Sequence, residues 1–145
     1  MPWHASVHPD LPIVETCYSG VLTPSELSAA VREPLTLART SGRTLLLSDC
    51  SALVGGHSIH DLYCLANAIS LSGTGYSLKE AFLLPALPAS VEMVKFWVTV
   101  CCNRGINVRI FSDRQSALDW LLDIDNTQPV VPADSLCPSP PHPAA

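Results

Sequence analysis

The stretch Glu80-Ala-Phe-Leu-Leu84, the segment 90–103, and Asn107-Val-Arg-Ile-Phe111 together decide the fold. The first piece is a short apolar run, the pattern of a strand buried on both faces, and the last reads as the next strand. Pro85 stops the first run. Between the two pieces, Val91, Val94, Trp97, Val98 and Cys101 recur at helical spacing. Gly105 stands just past the end of that helix, where a left-handed C-cap belongs. Strand, helix and strand in that order form a βαβ unit, two parallel strands joined by a right-handed crossover.

The same unit repeats upstream. Thr44-Leu-Leu-Leu-Ser48 reads as a buried strand ending near Ser48, followed by a loop with Gly55-Gly56. Ser58 and Asp61 make a Ser-x-x-Asp cap, and Leu62, Leu65, Ala66 and Ile69 continue as a helix. Further back, Thr23-Pro-Ser-Glu26 is a helix start with a proline at N1 and a capping box. Leu27, Ala30, Val31 and Leu35 or Ala38 follow its period; Pro34 predicts a kink or break, and Gly42 ends the segment. Residues 3–8 and 13–22 flank the turn Pro9-Asp-Leu-Pro12 as a hairpin, with Gly20 marking a bulge. At the far end, Ser112-Asp-Arg-Gln115 reads as another capping box, before a short helix with Ala117, Leu118, Leu121 and Leu122, and Trp120 beside them.

The order β-β-α-β-α-β-α-β-α predicts a single α/β domain over residues 1–122. It has a mixed five-stranded sheet, the hairpin supplying an antiparallel edge, and about four helices. Residues 123–145 read as a disordered or extended tail, with six prolines and no aromatic residue after position 128.

The chain has 145 residues, 48% hydrophobic and only 14% charged, which excludes disorder for the whole. A domain of this length buries enough surface to need neither disulfide nor metal. The net charge of −5, from 8 basic and 13 acidic groups, argues against a nucleic-acid partner. No segment approaches the roughly 20 apolar residues of an integral membrane span. The first ten residues carry no Lys, Arg or apolar run, so no secretory signal peptide is read there. The expected location is therefore the cytoplasm, with the six cysteines reduced.

Several stretches resemble the SpoIIAA-like family, the STAS/SEC14-type small domains of bacterial genomes. They are Tyr18-Ser-Gly-Val-Leu-Thr-Pro-Ser-Glu-Leu27, Leu45-Leu-Leu-Ser-Asp49, Ala81-Phe-Leu-Leu84, Phe96-Trp97, the run from Asn103 to Asp113, and Ala117-Leu-Asp-Trp-Leu121. The resemblance covers about residues 3–122. It implies a cytoplasmic, non-enzymatic domain that often self-associates, so a homodimer and a protein partner are expected. The anti-sigma-factor antagonists of the STAS group carry an Asp-Ser-Ser-Gly-like phosphorylation loop after the central strand. Here that stretch is Val54-Gly-Gly-His-Ser-Ile-His-Asp61, in which only Ser58 offers a hydroxyl and the Asp-Ser context is missing.

The candidate interaction or phosphorylation loop is accordingly Ser58, Asp49, His57, His60 and Asp61. Asp49 is read as ending the central strand, where ligands of open α/β sheets gather, or as binding the amides of Ser51 and Ala52. Ser58 doubles as an N-cap. Phe96, Trp97 and Trp120 are a candidate apolar pocket, and otherwise core residues. That pocket supports an alternative role, carrier or sensor of a small apolar, lipid-like ligand.

A third role, hydrolase or metalloenzyme, has less support. Gly56-His-Ser-Ile-His60 lacks the second small residue of a nucleophile elbow. His57, His60 and Cys64 share a helical spacing that suits zinc, with Cys50 as a neighbour, but no Cys-x-x-Cys pair supports them. No catalytic residue, metal or cofactor is assigned. Arg104, Arg109 and Arg114 are read as one cluster, either an anion site or solvated surface. Cys101 and Cys102 are read as packing residues, because a vicinal disulfide would strain a helix.

Overall fold

Side chains alternate between the two faces of one sheet, and the two faces are covered unequally. The computed structural model describes residues 2–55, 58–72 and 78–123, the side chains of 70–72 excepted. Within these lie β1 (Trp3–Val7), β2 (Ile13–Val21), α1 (Pro24–Ser41), β3 (Leu45–Gly55), α2 (Ile59–Ser72), β4 (Lys79–Leu83), α3 (Pro88–Asn103), β5 (Asn107–Phe111) and α4 (Arg114–Leu121). The strands stand in the order β1-β2-β3-β4-β5. β1 is antiparallel to β2, and the other three pairs are parallel. The expected mixed five-stranded sheet with an antiparallel edge hairpin is thus the fold found. The expected tail lies outside the described residues beyond Asp123.

α1, α2 and α3 cover one face, over a core that includes Tyr18, Cys50, Phe82, Trp97 and Val98. α4 covers part of the other face, over Ile13, Leu47, Ala81, Leu83 and Phe111. Parallel crossovers of one hand between adjacent strands put all three connecting helices on the same side. α2 and α3 pack on each other, whereas α1 packs mainly on β1 and β2.

Three elements differ from the sequence reading. β3 does not stop near Ser48 but runs on to Gly55. Asp49 makes a turn-like contact inside this strand: its Oδ1 accepts from the Ser51 amide at 3.0 Å and the Ser51 hydroxyl at 2.6 Å. This local bonding is typical of turns, yet here it lies within an extended strand. α1 does not break at Pro34, which is a buried residue inside one continuous 18-residue helix. Proline has no N–H to give the Ala30 carbonyl. The Tyr18 hydroxyl donates to that carbonyl instead, at 3.5 Å. The last helix is capped one residue later than expected, by Asp113, whose carboxylate accepts from the Ser116 amide at 2.9 Å.

Other local signals hold. Thr23 Oγ1 accepts from the Glu26 amide, and Glu26 accepts from the Thr23 amide, a complete capping box. The pairing of β2 with β3 is irregular at Cys17/Ser19 and at Gly20/Val21, and Gly20 has a φ of +71°. The backbone there enters the left-handed region that favours glycine. Gly105, just beyond α3, has a φ of +82°. Cys17, Cys50, Cys64 and Cys101 are free thiols, as expected. Cys102 is disulfide-bonded, against that expectation, and not to its free neighbour Cys101.

Candidate functional site

Two places combine unusual exposure or unusual burial with chemistry. The first is the end of the sheet where β2 and β3 finish and α2 and α3 begin. Val21 stands in register with Gly55, and the Leu22 amide donates to the Gly55 carbonyl at 2.7 Å. The Ser90 hydroxyl, in the first turn of α3, donates to the Val54 carbonyl at 2.8 Å. These bonds pin the long end of β3 against both neighbours. Around it, Val21, Val54, Ile59 and Leu87 are 47–58% exposed, and Tyr63 follows one turn along α2.

The start of α2 is capped as the spacing predicts. The Asp61 amide donates to Ser58 Oγ at 3.1 Å, and the Ser58 amide donates to Asp61 Oδ2 at 2.8 Å. His60 Nε2 lies 3.5 Å from Cys64 Sγ one turn on. Cys50 is buried beneath the helices, and the described residues include no group of three His, Cys, Asp or Glu side chains able to hold a metal. His57, the remaining loop candidate, lies outside the described residues.

Asp49 is not brought to this loop. It sits in register with Cys17 in mid-strand, six residues before Gly55, about 20 Å away at strand rise. Its neighbours are on the α4 side: Arg114 makes a two-armed ion pair with Glu15 at 2.6 and 2.9 Å, and Asp49 adds to the field that holds its proton. Burial, then Glu15 and Asp49, push the Cys17 thiol up, which keeps it protonated and weakly reactive. The three arginines do not cluster. Arg104 binds Asn67 and faces Tyr63, Arg109 lies over the Trp120 ring, and Arg114 holds Glu15.

The second place is a crevice between α1 and the α2–α3 pair. It consists of two hollows of about 40 Å³ each that share Tyr18, Val31, Phe82 and Trp97. The first reaches along the amino ends of β3 and β4 and has Glu80 in its wall. Ser48, fully buried, donates its hydroxyl to Glu80 Oε2 at 2.7 Å. Burial pushes the Glu80 carboxyl up to about 7, and the Ser48 hydroxyl acts against this. Burial likewise pushes Tyr18, Cys50 and Cys101 upward, with the Glu80 charge adding to each.

Trp97 belongs to this crevice, and Phe96 packs beside it in the same core. Trp120 does not. It packs on Phe111 across the sheet, with ring centroids 5.6 Å apart. The three aromatics therefore do not line one pocket, because α3 and α4 lie on opposite faces. Glu80 was not singled out in the sequence. The only signal was a carboxylate opening an otherwise apolar strand run.

The sheet order, the edge hairpin and three same-side helices define an α/β domain of SpoIIAA-like fold. An uncharacterised protein of the DUF3478 family with a SpoIIAA-like fold, from Shewanella loihica, is similar to this chain in three dimensions: TM-score 0.52, 22% identity, 82% of this chain and 91% of that one covered. No protein-family model and no curated protein matches the sequence. The fold suggested by the sequence resemblance is thus the fold observed. Among the described residues, no helix is long and apolar enough to cross a membrane.

Proposed function

We propose that this protein is a non-enzymatic STAS-like regulatory or interaction module, acting through the surface around residues 55–61. One observation carries the reading: four large apolar side chains stand about half exposed around one capped helix start. Apolar side chains exposed singly are ordinary, but grouped at one end of a sheet they suit a protein partner, which includes a second copy of the chain. The test is capture from host extract together with gel filtration. Ile59→Asp or Leu87→Asp is expected to abolish a specific capture or a dimer while leaving the thermal midpoint within a few degrees. Equal capture by both variants defeats the reading.

Ser58 is the capping residue of this surface. Ser58→Ala is expected to cost about 1 kcal/mol in urea denaturation, and Ser58→Asp to cost almost nothing, because aspartate also caps. A phosphate there would meet the favourable end of the helix dipole but also the Asp61 carboxylate. Recovery of Ser58 in phosphorylated form from the host, with loss of one partner in Ser58→Asp, would make the loop a switch.

A second reading, carrier or sensor of a small apolar ligand, is favoured by the crevice between α1 and α3. Its walls are apolar but for Tyr18, the thiols of Cys50 and Cys101, and Glu80, which Ser48 holds.

A further inference from the structure

Among the described residues, the Glu80 carboxyl has one hydrogen-bond partner, Ser48, and no cation lies among the groups around its hollow. The nearest titratable groups are Tyr18 from β2, Cys50 from β3 and Cys101 from α3, each of which is neutral or negative. α1 and α2 contribute Val31, Pro34, Leu35 and Ile69, all apolar. An acid in such surroundings stays costly to ionise until something brings it a positive charge. Among the described residues around the hollow, none brings one. The ion pairs of the described residues lie elsewhere, Lys79 with Asp123 and Arg114 with Glu15.

The space beside this acid has a definite capacity. A water molecule needs roughly 10–15 Å³ on this measure, so each hollow takes about three water-sized groups and the pair about six. The two hollows share four lining residues and run between the sheet and the helices, which suits a short chain more than a bulky ring system.

We propose that the crevice binds a small apolar amine, whose ammonium group pairs with the Glu80 carboxylate and whose hydrocarbon body fills the two hollows. This rests on the apolar-ligand reading and adds the chemistry of the head group. The occupant is chosen by charge complementarity: the described wall is largely hydrocarbon, and the acid set in it is Glu80. A charge-assisted hydrogen bond in a water-poor site is stronger than a neutral one. Ser48 holds the carboxylate in place while the second oxygen, Oε1, takes the ligand. Binding of a cation also favours the ionised acid, so the amine is expected to bind more tightly as pH rises from 6 to 8.

The test compares three probes of one chain length, n-hexylamine, n-hexanol and hexanoate, by titration calorimetry with the full chain at pH 8. Hexylamine is expected to bind at least tenfold more tightly than hexanol, and hexanoate more weakly than either. Glu80→Gln is expected to remove the advantage of the amine while hexanol still binds, which also shows that the variant is folded. Ser48→Ala, which retains the charge, is expected to keep a preference for the amine. Equal affinity for amine and alcohol overturns the proposal and leaves the apolar-ligand reading standing. A persistent amine preference in Glu80→Gln places the cation elsewhere and also overturns it, as does tightest binding by hexanoate. Failure of all three probes to bind overturns both readings together.

Discussion

Trp97→Ala is expected to lower stability by about 3–5 kcal/mol, the usual cost of deleting a large aromatic side chain from a core. Trp97 is 8% exposed and lies at the centre of the three-helix side. It also forms part of the wall between α3 and both hollows. Typical domains hold about 5–15 kcal/mol in reserve, so the loss takes much of the total. Urea denaturation followed by circular dichroism measures it. A loss below about 1 kcal/mol would mean that the crevice collapses freely onto the vacated space, and that its walls are not held by Trp97.

Glu80→Gln is expected to act in the opposite direction, raising stability at pH 8 by up to about 3 kcal/mol. The sign follows from proton binding. The carboxyl titrates near 4.5 when unfolded and near 7 in the folded protein. Between these values the folded state holds the proton that the unfolded state has released, so stability falls as pH rises through the window. Above about pH 7 the loss is complete and stability no longer depends on this group. Tyr18, Cys50 and Cys101, the titratable groups nearest the acid, are all pushed upward, so they stay neutral throughout. Glutamine keeps the shape and still accepts from Ser48, but never ionises. The wild-type curve should therefore converge with that of the variant below pH 4.5 and fall beneath it at pH 8. Parallel curves from pH 4 to pH 8 would show that water or a rearranged side chain already relieves the charge.

Local grammar was legible wherever the chain settles its own conformation. The Thr23–Glu26 box, the Ser58–Asp61 cap, the buried run of β4 and the existence of β5 needed no knowledge of distant residues. Errors came where a local cue had a tertiary answer. Asp49 and Ser51 bond to each other as in a turn, yet β2 pairs with β3 past them and keeps the strand going. Pro34 looked like a helix breaker because its missing donor was visible and the Tyr18 hydroxyl was not. Phe96, Trp97 and Trp120 looked like one pocket because periodicity identifies the buried side of a helix but not the face of the sheet that helix covers. Glu80 escaped attention for a related reason: a lone acid at the start of a strand becomes unusual only once its face is known to be covered by helices.

The bond from Tyr18 to the Ala30 carbonyl makes two distant positions thermodynamically interdependent. With proline at 34, the tyrosine hydroxyl fills a vacancy in the ladder of α1 and ties that helix to β2. With alanine at 34, the helix would close its own ladder and the hydroxyl would lose its claim on that carbonyl. Phenylalanine at 18 with proline at 34 would instead strand the carbonyl in the core. Tyr18→Phe and Pro34→Ala should therefore be non-additive, with the double variant less destabilised than the two single losses together. The consequence is evolutionary as much as energetic: substitution at either site changes what is tolerated at the other, so in descendants of this chain the two positions should drift as a pair.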